Sequence, residues 1–385
     1  MMGLNKEFIK KYNNMGVILS PRSCTREQVE KHAAEIKNLG GTVLFDPQFY
    51  EPRTSHEKLL GYPYWEEISF ETSEFTISDQ KELCKKVIDY QVNILKVKEV
   101  ILPGRYSNVL SESWLEMQAS FADYSSELSL GLPVYSTLAI GSDIVGESEM
   151  FDRIIDELVS FPVDGVYVVL RSPGDKFLVN DETYLYNVLD GLLSLCLAGK
   201  RIIVGYANQQ SLIYSAAGIS GIASGNFRNV RSFNPEIFDI QDEDTHITRA
   251  TWYYDANTLS EFRPQQLSLA YRRGLSKHFG PSCDYCKQLL KSPNPALVPW
   301  KEPSAFRHYL YELRRQWLEI DKVEPGNRIQ FVKDMLYAAS HRLEYLEENG
   351  FRPGQRAFSK YFDPTIGAVE AFEIDRSEDI RMLRK

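Results

Sequence analysis

Short runs of β-branched and apolar residues alternate along this chain with longer amphipathic stretches. Eight such runs are predicted to be strands, at residues 16–21, 42–46, 99–103, 133–140, 165–170, 201–205, 221–224 and 249–254. A helix is predicted to begin near Thr25, where Thr-Arg-Glu-Gln has the form of a capping box. Apolar residues at helical spacing predict further helices at about 78–96, 111–127, 148–159, 182–198 and 208–217.

This alternation of strands and helices predicts parallel strands joined by helical crossovers. The strands are almost continuously apolar, as expected when both faces of a sheet are buried. Eight units favour an α/β fold of the closed (β/α)₈ type, a TIM barrel with a small zinc-binding insertion and C-terminal helices. A doubly wound open sheet is the alternative.

Two segments interrupt the pattern and suggest how the chain is divided. Residues 1–256 are predicted to hold barrel strands 1–8, with an aromatic, irregular, lid-like insertion at 51–76. Residues 257–303 form the predicted zinc-binding insertion. Residues 304–385 are predicted to hold a helix that closes the barrel, at 304–320, and a C-terminal helical extension whose helix 326–349 ends at Asn349-Gly350.

Composition and charge narrow the class of protein. The 385 residues include five cysteines, three of them isolated within patterned segments, and no run of about 18 apolar residues. We therefore expect reduced thiols, a cytoplasmic protein and no membrane partner. The net charge of −9 argues against unselective coating of nucleic acid, but residues 263–315 hold ten Lys/Arg against three acidic residues. This basic block is either a phosphate-binding face or a solvated surface.

Catalytic residues of a barrel gather where its strands end, and the residues that follow the eight strands are rich in carboxylates, amides and arginines. The candidate catalytic residues are Asp46, Asp143 and Asp255. The candidate substrate-binding residues are Gln48, Tyr50, Arg105, Tyr106, Arg171, Asp175, Asn208, Gln209, Asn226 and Arg228. Asp and Asn also commonly end strands and cap helices. Asp46 is the first candidate, because Phe-Asp-Pro-Gln-Phe-Tyr is not a usual helix start.

The second insertion carries the most specific local pattern. Cys283 and Cys286 form a Cys-x₂-Cys pair, with His278 before it and His308 after it. Two thiolates on one turn and a distant histidine are typical of a tetrahedral structural zinc site. The alternative is two unbound cysteines in a turn. We expect zinc, with His278, Cys283, Cys286 and His308 as its ligands.

The order of strands, Cys-x₂-Cys and a helix with His308 resembles the tRNA-guanine transglycosylase superfamily. Ser304-Ala-Phe-Arg-His308-Tyr-Leu-Tyr-Glu-Leu-Arg314 is similar to that family's zinc-ligand helix. The family pattern is Cys-x-Cys-x₂-Cys with a distant His. Its first Cys falls on Pro281 here, and His278 would replace it. The resemblance implies a barrel over residues 16–320 and structural zinc.

The resemblance also implies roles at two strand ends. Asp46 takes the place of the family's proton-transfer Asp, without the Ser-Gly-Gly that follows it there. The family's nucleophilic Asp has no counterpart in Gly221-Ile-Ala-Ser-Gly-Asn226. A relative that only cleaves the N-glycosidic bond, or that binds without turnover, would fit this loss.

The leading hypothesis is an enzyme acting at a nucleobase–sugar bond in DNA or RNA, by base exchange or base excision. Asp46 would be the general acid/base or nucleophile, Tyr50, Tyr106 or Phe227 could stack on an extruded base, and the basic block would bind phosphates. The alternatives are a barrel enzyme on a small polar metabolite and an inactive nucleic-acid-binding relative. The oligomeric state stays open, with a homodimer as one expectation.

Overall fold

A computed structural model of the chain describes residues 2–12, 15–51, 57–66, 75–238 and 251–383, with the side chains of Glu66 and Asp175 left outside the description. Within these ranges the fold is mixed α/β with a five-stranded parallel sheet. The strands are Gly16–Leu19 (β1), Thr42–Phe45 (β2), Val100–Ile101 (β3), Val134–Ile140 (β4), Gly165–Leu170 (β5), Arg201–Val204 (β6), Gly221–Ile222 (β7), Tyr253–Asp255 (β8) and Ser260–Phe262 (β9).

The α-helices of the described residues surround these strands. They are Met2–Lys11 (α1), Arg26–Asn38 (α2), Glu57–Leu60 (α3), Pro63–Glu66 (α4), Ile77–Asp89 (α5), Glu112–Glu127 (α6), Ser142–Gly146 (α7), Ser148–Ser160 (α8), Glu182–Leu197 (α9), Pro264–Arg272 (α10), Asp284–Lys291 (α11), Glu302–Asp321 (α12), Arg328–Glu348 (α13), Phe362–Asp375 (α14) and Ser377–Met382 (α15). The predicted capping box at Thr25 is confirmed, because its hydroxyl accepts from the Gln28 amide and the Gln28 side chain accepts from the Thr25 amide. The predicted helix at 208–217 is instead a 3₁₀ segment, Gln209–Ala217.

Seven of the eight predicted strands are present, and they form two parallel groups. β3 to β7 pair in sequence order, and β1 pairs with β2. No closed barrel is found within the described ranges. The sequential order β3-β4-β5-β6-β7 also contains no reversal of the kind that defines a doubly wound sheet.

The predicted eighth strand is wrong in its pairing. Residues 249 and 250 lie outside the described residues, and β8 pairs antiparallel with β9 as a hairpin. The turn between them explains the reversal. The Thr258 hydroxyl donates to Asp255 at 2.8 Å, and Leu259 has a left-handed φ of 52°. The chain therefore folds back on itself and does not continue along β7.

A buried side chain occupies the β2-facing edge of β3. Gln91 lies in a π-helical turn, Tyr90–Ile94, that follows α5. Its Nε2 donates to the Ile101 carbonyl at 2.7 Å, and its Oε1 accepts from the Ile101 amide at 3.1 Å. Because one amide satisfies both backbone groups of Ile101, this edge of β3 is paired without a neighbouring strand.

The two faces of the strands pack differently. One face lies against the helices in the main hydrophobic core. The other face contributes side chains from β2, β3, β4 and β5 to a separate cluster closed by loop aromatics, which includes Leu44, Ile101, Tyr135, Ala139, Tyr167, Val169, Phe233 and Phe238. Strands of both parallel groups therefore contribute side chains to one shared apolar cluster.

The described part of the predicted lid, residues 57–66, is packed into the core. Tyr62, Tyr64 and Trp65 are at most 2% exposed. The hydroxyls of Tyr62 and Tyr64 donate to the carbonyls of Cys24 and Pro47. Phe70 lies outside the described residues. These aromatic side chains therefore stabilise the fold.

The C-terminal helices belong to the same core as the strands. The predicted helix 326–349 is confirmed as α13, and Gly350 ends it with a left-handed φ of 86°. Phe362, Val369 and Phe372 of α14 are buried against α9 and α13. Among the helices described, none has the length and apolar character needed to cross a bilayer.

Candidate active site and metal centre

The carboxyl end of β2 places Asp46 inside the protein. The amide of Asp46 donates to the Leu19 carbonyl at 3.0 Å, which extends the β1–β2 pairing to this residue. Its side chain is only 2% exposed. Pro47 follows it and cannot donate a backbone hydrogen bond, so the strand ends here. The sequence-based prediction that Asp46 lies at a strand end is confirmed.

Hydroxyl and amide donors surround the Asp46 carboxylate. Its Oδ1 accepts from the Gln48 amide at 2.9 Å, and its Oδ2 accepts from the Tyr50 hydroxyl at 2.8 Å. The hydroxyls of Tyr167 and Tyr206 lie 3.4 and 3.5 Å from the same Oδ2. Burial raises the pKa of Asp46 to about 6, although these hydrogen bonds oppose the rise. The carboxyl thus titrates near neutral pH.

Two strained residues hold this arrangement. Gln48 and Tyr206 have left-handed φ values of 54° and 50°, which residues with a Cβ adopt rarely. They contact each other directly, since Gln48 Nε2 donates to the Tyr206 hydroxyl at 2.9 Å. Gln48 Oε1 also accepts from the Arg22 amide at 2.9 Å. Such strain is often found at functional sites, and here it adjoins the buried carboxylate.

A cleft of about 1630 Å³ opens from Asp46 and runs between the edges of β1 and β7. Of the predicted site residues, it brings together Asp46, Gln48, Asn226 and Arg228. Phe227, one of the predicted stacking aromatics, lines it as well. We call this space the β1–β7 cleft.

The lining of the β1–β7 cleft is cationic in an acidic protein. Among the described residues, eight basic side chains line it against three carboxylates: Arg22, Lys58, Arg201, Arg228, Arg231, Arg263, Arg314 and Arg356, against Asp46, Glu261 and Glu302. Only Arg263 and Arg314 of these belong to the predicted basic block. Most of that block lies elsewhere, with Arg272, Lys277 and Lys287 exposed on other surfaces. The positive surface therefore comes mainly from residues that are distant in sequence.

The other two candidate carboxylates do not join Asp46 in the cleft lining. Asp143 is exposed near the start of α7 and accepts a hydrogen bond from Asn108 at 2.5 Å. Asp255 is 2% exposed in the β8–β9 hairpin, where it accepts from Thr258. Burial raises the pKa of Asp255 as well. Both follow the alternative reading, in which an Asp at a strand end stabilises the adjoining turn or helix.

The predicted stacking tyrosines are enclosed by other rings. Tyr50 is 1% exposed, with Phe233 and Phe238 each 5.0 Å away between ring centroids. Tyr106 is half-buried against Phe233 at 5.7 Å. Neither lines the cleft. Tyr50 acts instead through its hydroxyl on Asp46, which is a positioning contact.

The remaining predicted binding residues have structural partners away from the cleft lining. Arg105 is buried over the Phe49 ring at 4.7 Å, and Arg171 binds Glu236 at 3.1 Å. Asn208 caps the 3₁₀ segment by accepting from the Gln210 amide, and Gln209 is 1% exposed and donates to the Leu259 carbonyl. The side chain of Asp175 lies outside the described residues. Amides at strand ends therefore serve mainly to satisfy backbone groups here.

Several residues of the site were missed from the sequence. Tyr167 lies within β5 and Tyr206 follows β6, so both resembled core aromatics. A polar hydroxyl within an otherwise aliphatic strand was the available indication for Tyr167, since buried tyrosines need a hydrogen-bond partner. Trp252, Glu261 and Arg356 are brought together only by the hairpin and the C-terminal segment, and no pattern in the sequence relates them.

The predicted metal ligands Cys283, Cys286 and His308 come together as one group. Their ligand atoms all lie within 4.8 Å of one another. Cys283 Sγ is 3.5 Å from Cys286 Sγ and 3.3 Å from His308 Nδ1. His308 Nε2 lies 2.7 Å from the Tyr254 carbonyl, which can only accept, so Nε2 carries the proton and Nδ1 faces the thiols as a lone pair.

The predicted ligand His278 does not join this group. Its ring packs against Tyr345 of α13 with 5.1 Å between ring centroids, and its carbonyl accepts from Arg342. It follows α10 in a short 3₁₀ turn that faces α13, so its side chain is committed to that contact. Within the described ranges, the only group of three or more His, Cys, Asp or Glu side chains close enough to share an ion is Cys283, Cys286 and His308.

The chemistry of the three donors fits a metal. The two thiols and the His308 Nδ1 lone pair face one another, which places three zinc-type donor atoms around one point. A thiolate and a deprotonated imidazole nitrogen are the ligand forms that zinc binds.

Comparison with known proteins adds no relative. A scan against models of protein families finds no match for the chain, and a search of curated proteins finds none either. The function is therefore inferred from the geometry of Asp46, of the β1–β7 cleft and of the three metal-type ligands.

Proposed function

We propose that the chain is an enzyme that acts at the N-glycosidic bond of a nucleobase in DNA or RNA, by base exchange or base excision. The observation that carries the proposal is Asp46, a buried carboxyl at the floor of a large cationic cleft. Its pKa of about 6 leaves it mostly ionised at neutral pH yet able to take and return a proton.

Cleavage of a base–sugar bond develops positive charge on the sugar, and a nearby carboxylate stabilises that charge, as in glycosidases. Asp46 Oδ2 would do this as general acid/base or nucleophile. The Tyr50, Tyr167 and Tyr206 hydroxyls would fix its orientation. The resemblance of this strand end to the proton-transfer position of the tRNA-guanine transglycosylase superfamily supports the same role.

Cleft size and charge favour a polymer over a small metabolite. Pockets for small molecules usually measure about 300–1,000 Å³, and the β1–β7 cleft is larger, at about 1630 Å³. Its excess of arginines suits phosphate groups. A small-metabolite enzyme would need neither property.

The proposal extends to the architecture and the metal. We take β1–β2 and β3–β7 as two arcs of one (β/α)₈-type wall, because their inward side chains share one cluster. Zn²⁺ is the proposed metal, since two thiols and an imidazole suit it. Cys283, Cys286 and His308 would hold it, and it would fasten α11 to α12. The metal would supply structural cross-linking there.

The proposed location is the cytoplasm, supported by five free cysteines. The homodimer remains a prediction.

The test is incubation of the purified protein with tRNA and with normal and modified DNA, followed by mass spectrometry of free base and abasic product. We expect base release that rises with pH through about 6 if the ionised Asp46 is the nucleophile or general base, and that falls through the same pH if the protonated Asp46 is the general acid. Asp46→Asn should abolish it. Asp143→Asn is the matched control, because it neutralises an exposed carboxyl that already lies beside an asparagine. Equal activity of Asp46→Asn and wild type would refute the role of Asp46.

An inactive nucleic-acid-binding relative is the second candidate. It is favoured by one observation, the absence of a carboxylate in Gly221–Asn226, where the resembling family has its nucleophile. Binding without any released base in the same experiment would select it.

A further inference from the structure

Four arginines line one end of the β1–β7 cleft, and two of them bind the same carboxylate. Glu261 on β9 is 3% exposed, and it binds Arg231 at 2.9 Å and Arg356 at 2.8 Å, one with each oxygen. Arg228 and Arg263 line the same cleft. We call these four arginines the arginine cluster. Within the described ranges Glu261 is the one carboxylate that forms ion pairs with the cluster, so it leaves an excess of positive charge among these residues.

Arg231 is the structural member of the cluster. Its Nε and Nη2 donate to the carbonyls of Gly225 and Asn226, both at 2.9 Å, and its Nη1 binds Glu261. Its guanidinium also lies over the Tyr309 ring at 3.5 Å. With these groups engaged, Arg231 fixes Glu261 and the end of β7.

The other three arginines have donors to spare. Arg356 uses Nη1 on Glu261, and its guanidinium lies over the Trp252 ring at 4.3 Å. Arg263 lies over the same ring at 4.9 Å, and Arg228 lies over Phe177 at 5.8 Å. Neither Arg228 nor Arg263 forms an ion pair with a described residue. Aromatic surfaces therefore hold these guanidiniums in place while their N–H groups stay available.

The charges in this cluster influence one another. Burial lowers the pKa of Arg356, and the charges of Arg231 and Arg228 lower it further, whereas Glu261 opposes the change. Mutual repulsion of this kind is relieved when an anion binds between the cations.

A second observation points to a ligand at the same place. Asn226 lines the cleft, is only 6% exposed, and its Oδ1 has no hydrogen-bond partner within the described ranges. An unpaired buried carbonyl is costly. A donor on the ligand, such as a sugar hydroxyl or a base N–H, would satisfy it.

We infer that the arginine cluster is a phosphate-binding site, in which Arg228, Arg263 and Arg356 bind a phosphate group of a nucleic acid while Asn226 accepts from the adjoining nucleoside. Arginine donors match phosphate oxygens in geometry and charge. The site deepens the proposed function, since it names the substrate group that the cleft would hold. The proposed function explains why such a site would exist. Phosphate binding at the site does not itself require cleavage of the nucleic acid.

The test measures binding of a fluorescein-labelled single-stranded oligonucleotide, as DNA and as RNA, across a range of salt concentrations. The variant is Arg228→Gln with Arg263→Gln, two exposed side chains that form no ion pair with a described residue, so the fold should persist. The matched control is Arg272→Gln with Arg381→Gln, which removes the same charge from exposed positions outside the cleft lining.

We expect the cluster variant to bind at least about tenfold more weakly in about 50 mM salt, because charge-assisted hydrogen bonds are lost. The slope of log K against log salt should become shallower by about 1.4, as two contacts to single-stranded phosphates are removed. The control variant should bind within about twofold of wild type, since its charges make no direct contact.

Two further probes identify the ligand. An oligomer of the same sequence with a neutral methylphosphonate backbone should bind weakly, which would assign the affinity to phosphate. Competition by inorganic phosphate or pyrophosphate at concentrations similar to the oligonucleotide would instead assign the site to a free anion and overturn the nucleic-acid source. Equal losses in the cluster and control variants, or no binding by wild type, would overturn the site itself. Binding without base release would leave the site standing and contradict only the proposed chemistry.

Discussion

At the scale of single residues, burial of the Asp46 carboxyl lowers the stability of the fold and also gives this group a pKa suited to proton transfer. Its environment supplies hydrogen-bond donors, but burial outweighs them and raises the pKa to about 6. Sequence placed Asp46 at a strand end because a polar residue before Pro47 interrupts an apolar run. It could not supply the three tyrosine hydroxyls, since these come from residues 50, 167 and 206, which only folding brings together.

We expect Asp46→Asn to stabilise the protein at pH 8. The folded-state pKa lies above the unfolded value, so the favourable contribution of the protonated carboxyl is complete below about pH 4 and is lost as pH rises through about 6. Removing the ionisable group should raise the free energy of unfolding at pH 8 by up to about 3 kcal/mol. Urea unfolding at pH 4 and pH 8 measures it.

The difference between Asp46→Asn and wild type should nearly vanish at pH 4, where both side chains are neutral. Asp143→Asn, at an exposed site, should change the free energy of unfolding little at either pH. A less stable Asp46→Asn protein at pH 8 would mean that hydrogen bonds to the ionised carboxylate outweigh its burial.

At the scale of elements, the strand pattern was predictable as far as β7 and failed at β8. Apolar runs bounded by turn residues identify strands, but pairing depends on what occupies each edge. The antiparallel hairpin arises from a turn around Thr258 and Leu259, and the edge of β3 is taken by a glutamine from a π-helical turn. Neither feature follows from hydrophobic periodicity.

Gln91→Leu should strongly destabilise the fold. The change would leave the amide and carbonyl of Ile101 without the two hydrogen bonds that Gln91 supplies. Each unpaired buried group costs about 1–3 kcal/mol, so we expect a loss of at least about 2 kcal/mol in denaturant unfolding.

Gln118→Leu is the contrasting variant. Gln118 is 3% exposed, and neither its Nε2 nor its Oε1 has a partner within the described ranges. Replacing it should therefore be neutral or stabilising. Similar losses in both variants would show that lost packing, and not backbone pairing, is what the measurement reports.

The group formed by Cys283, Cys286 and His308 was largely predictable, because Cys-x₂-Cys is a local pattern. His308→Ala should release the metal and lower the melting temperature by several degrees, since a cross-link between α11 and α12 is lost. Metal analysis of purified protein, with about one zinc per chain expected, and thermal unfolding measure this. His341→Ala on α13 is the control, and should retain the metal. Equal metal content in His308→Ala and wild type would contradict the ligand assignment.

At the scale of the whole molecule, the C-terminal extension and the strands share one hydrophobic core. Residues 304–385 were predicted to hold a helix that closes the barrel and a C-terminal helical extension. Phe372 of α14, in that extension, is completely buried in the core that also holds the strands. Sequence shows the periodicity of a helix and not the surface against which it packs. We therefore expect a single cooperative unfolding transition for the chain.

The substitution Phe372→Ala tests whether the C-terminal helices and the strands unfold in one cooperative transition. It should destabilise the protein by roughly 3–5 kcal/mol, through lost burial and the cavity left behind. Far-UV circular dichroism and tryptophan fluorescence should report the same shifted midpoint. Ile374→Ala, on the same helix but 75% exposed, should leave the midpoint almost unchanged. A shift seen by only one of the two probes would indicate that the C-terminal helices unfold separately.

The β8–β9 hairpin connects the group of Cys283, Cys286 and His308 with the arginine cluster. Its Tyr254 carbonyl binds His308, while Trp252 precedes it, Glu261 lies within it and Arg263 follows it. We expect binding at one end of the hairpin to favour binding at the other, and thermodynamic linkage would make that effect reciprocal. Oligonucleotide should slow the removal of zinc by a chelator, and zinc-depleted protein should bind oligonucleotide less tightly. Through this short hairpin, a measurement of metal occupancy would also report on nucleic-acid binding, and the reverse.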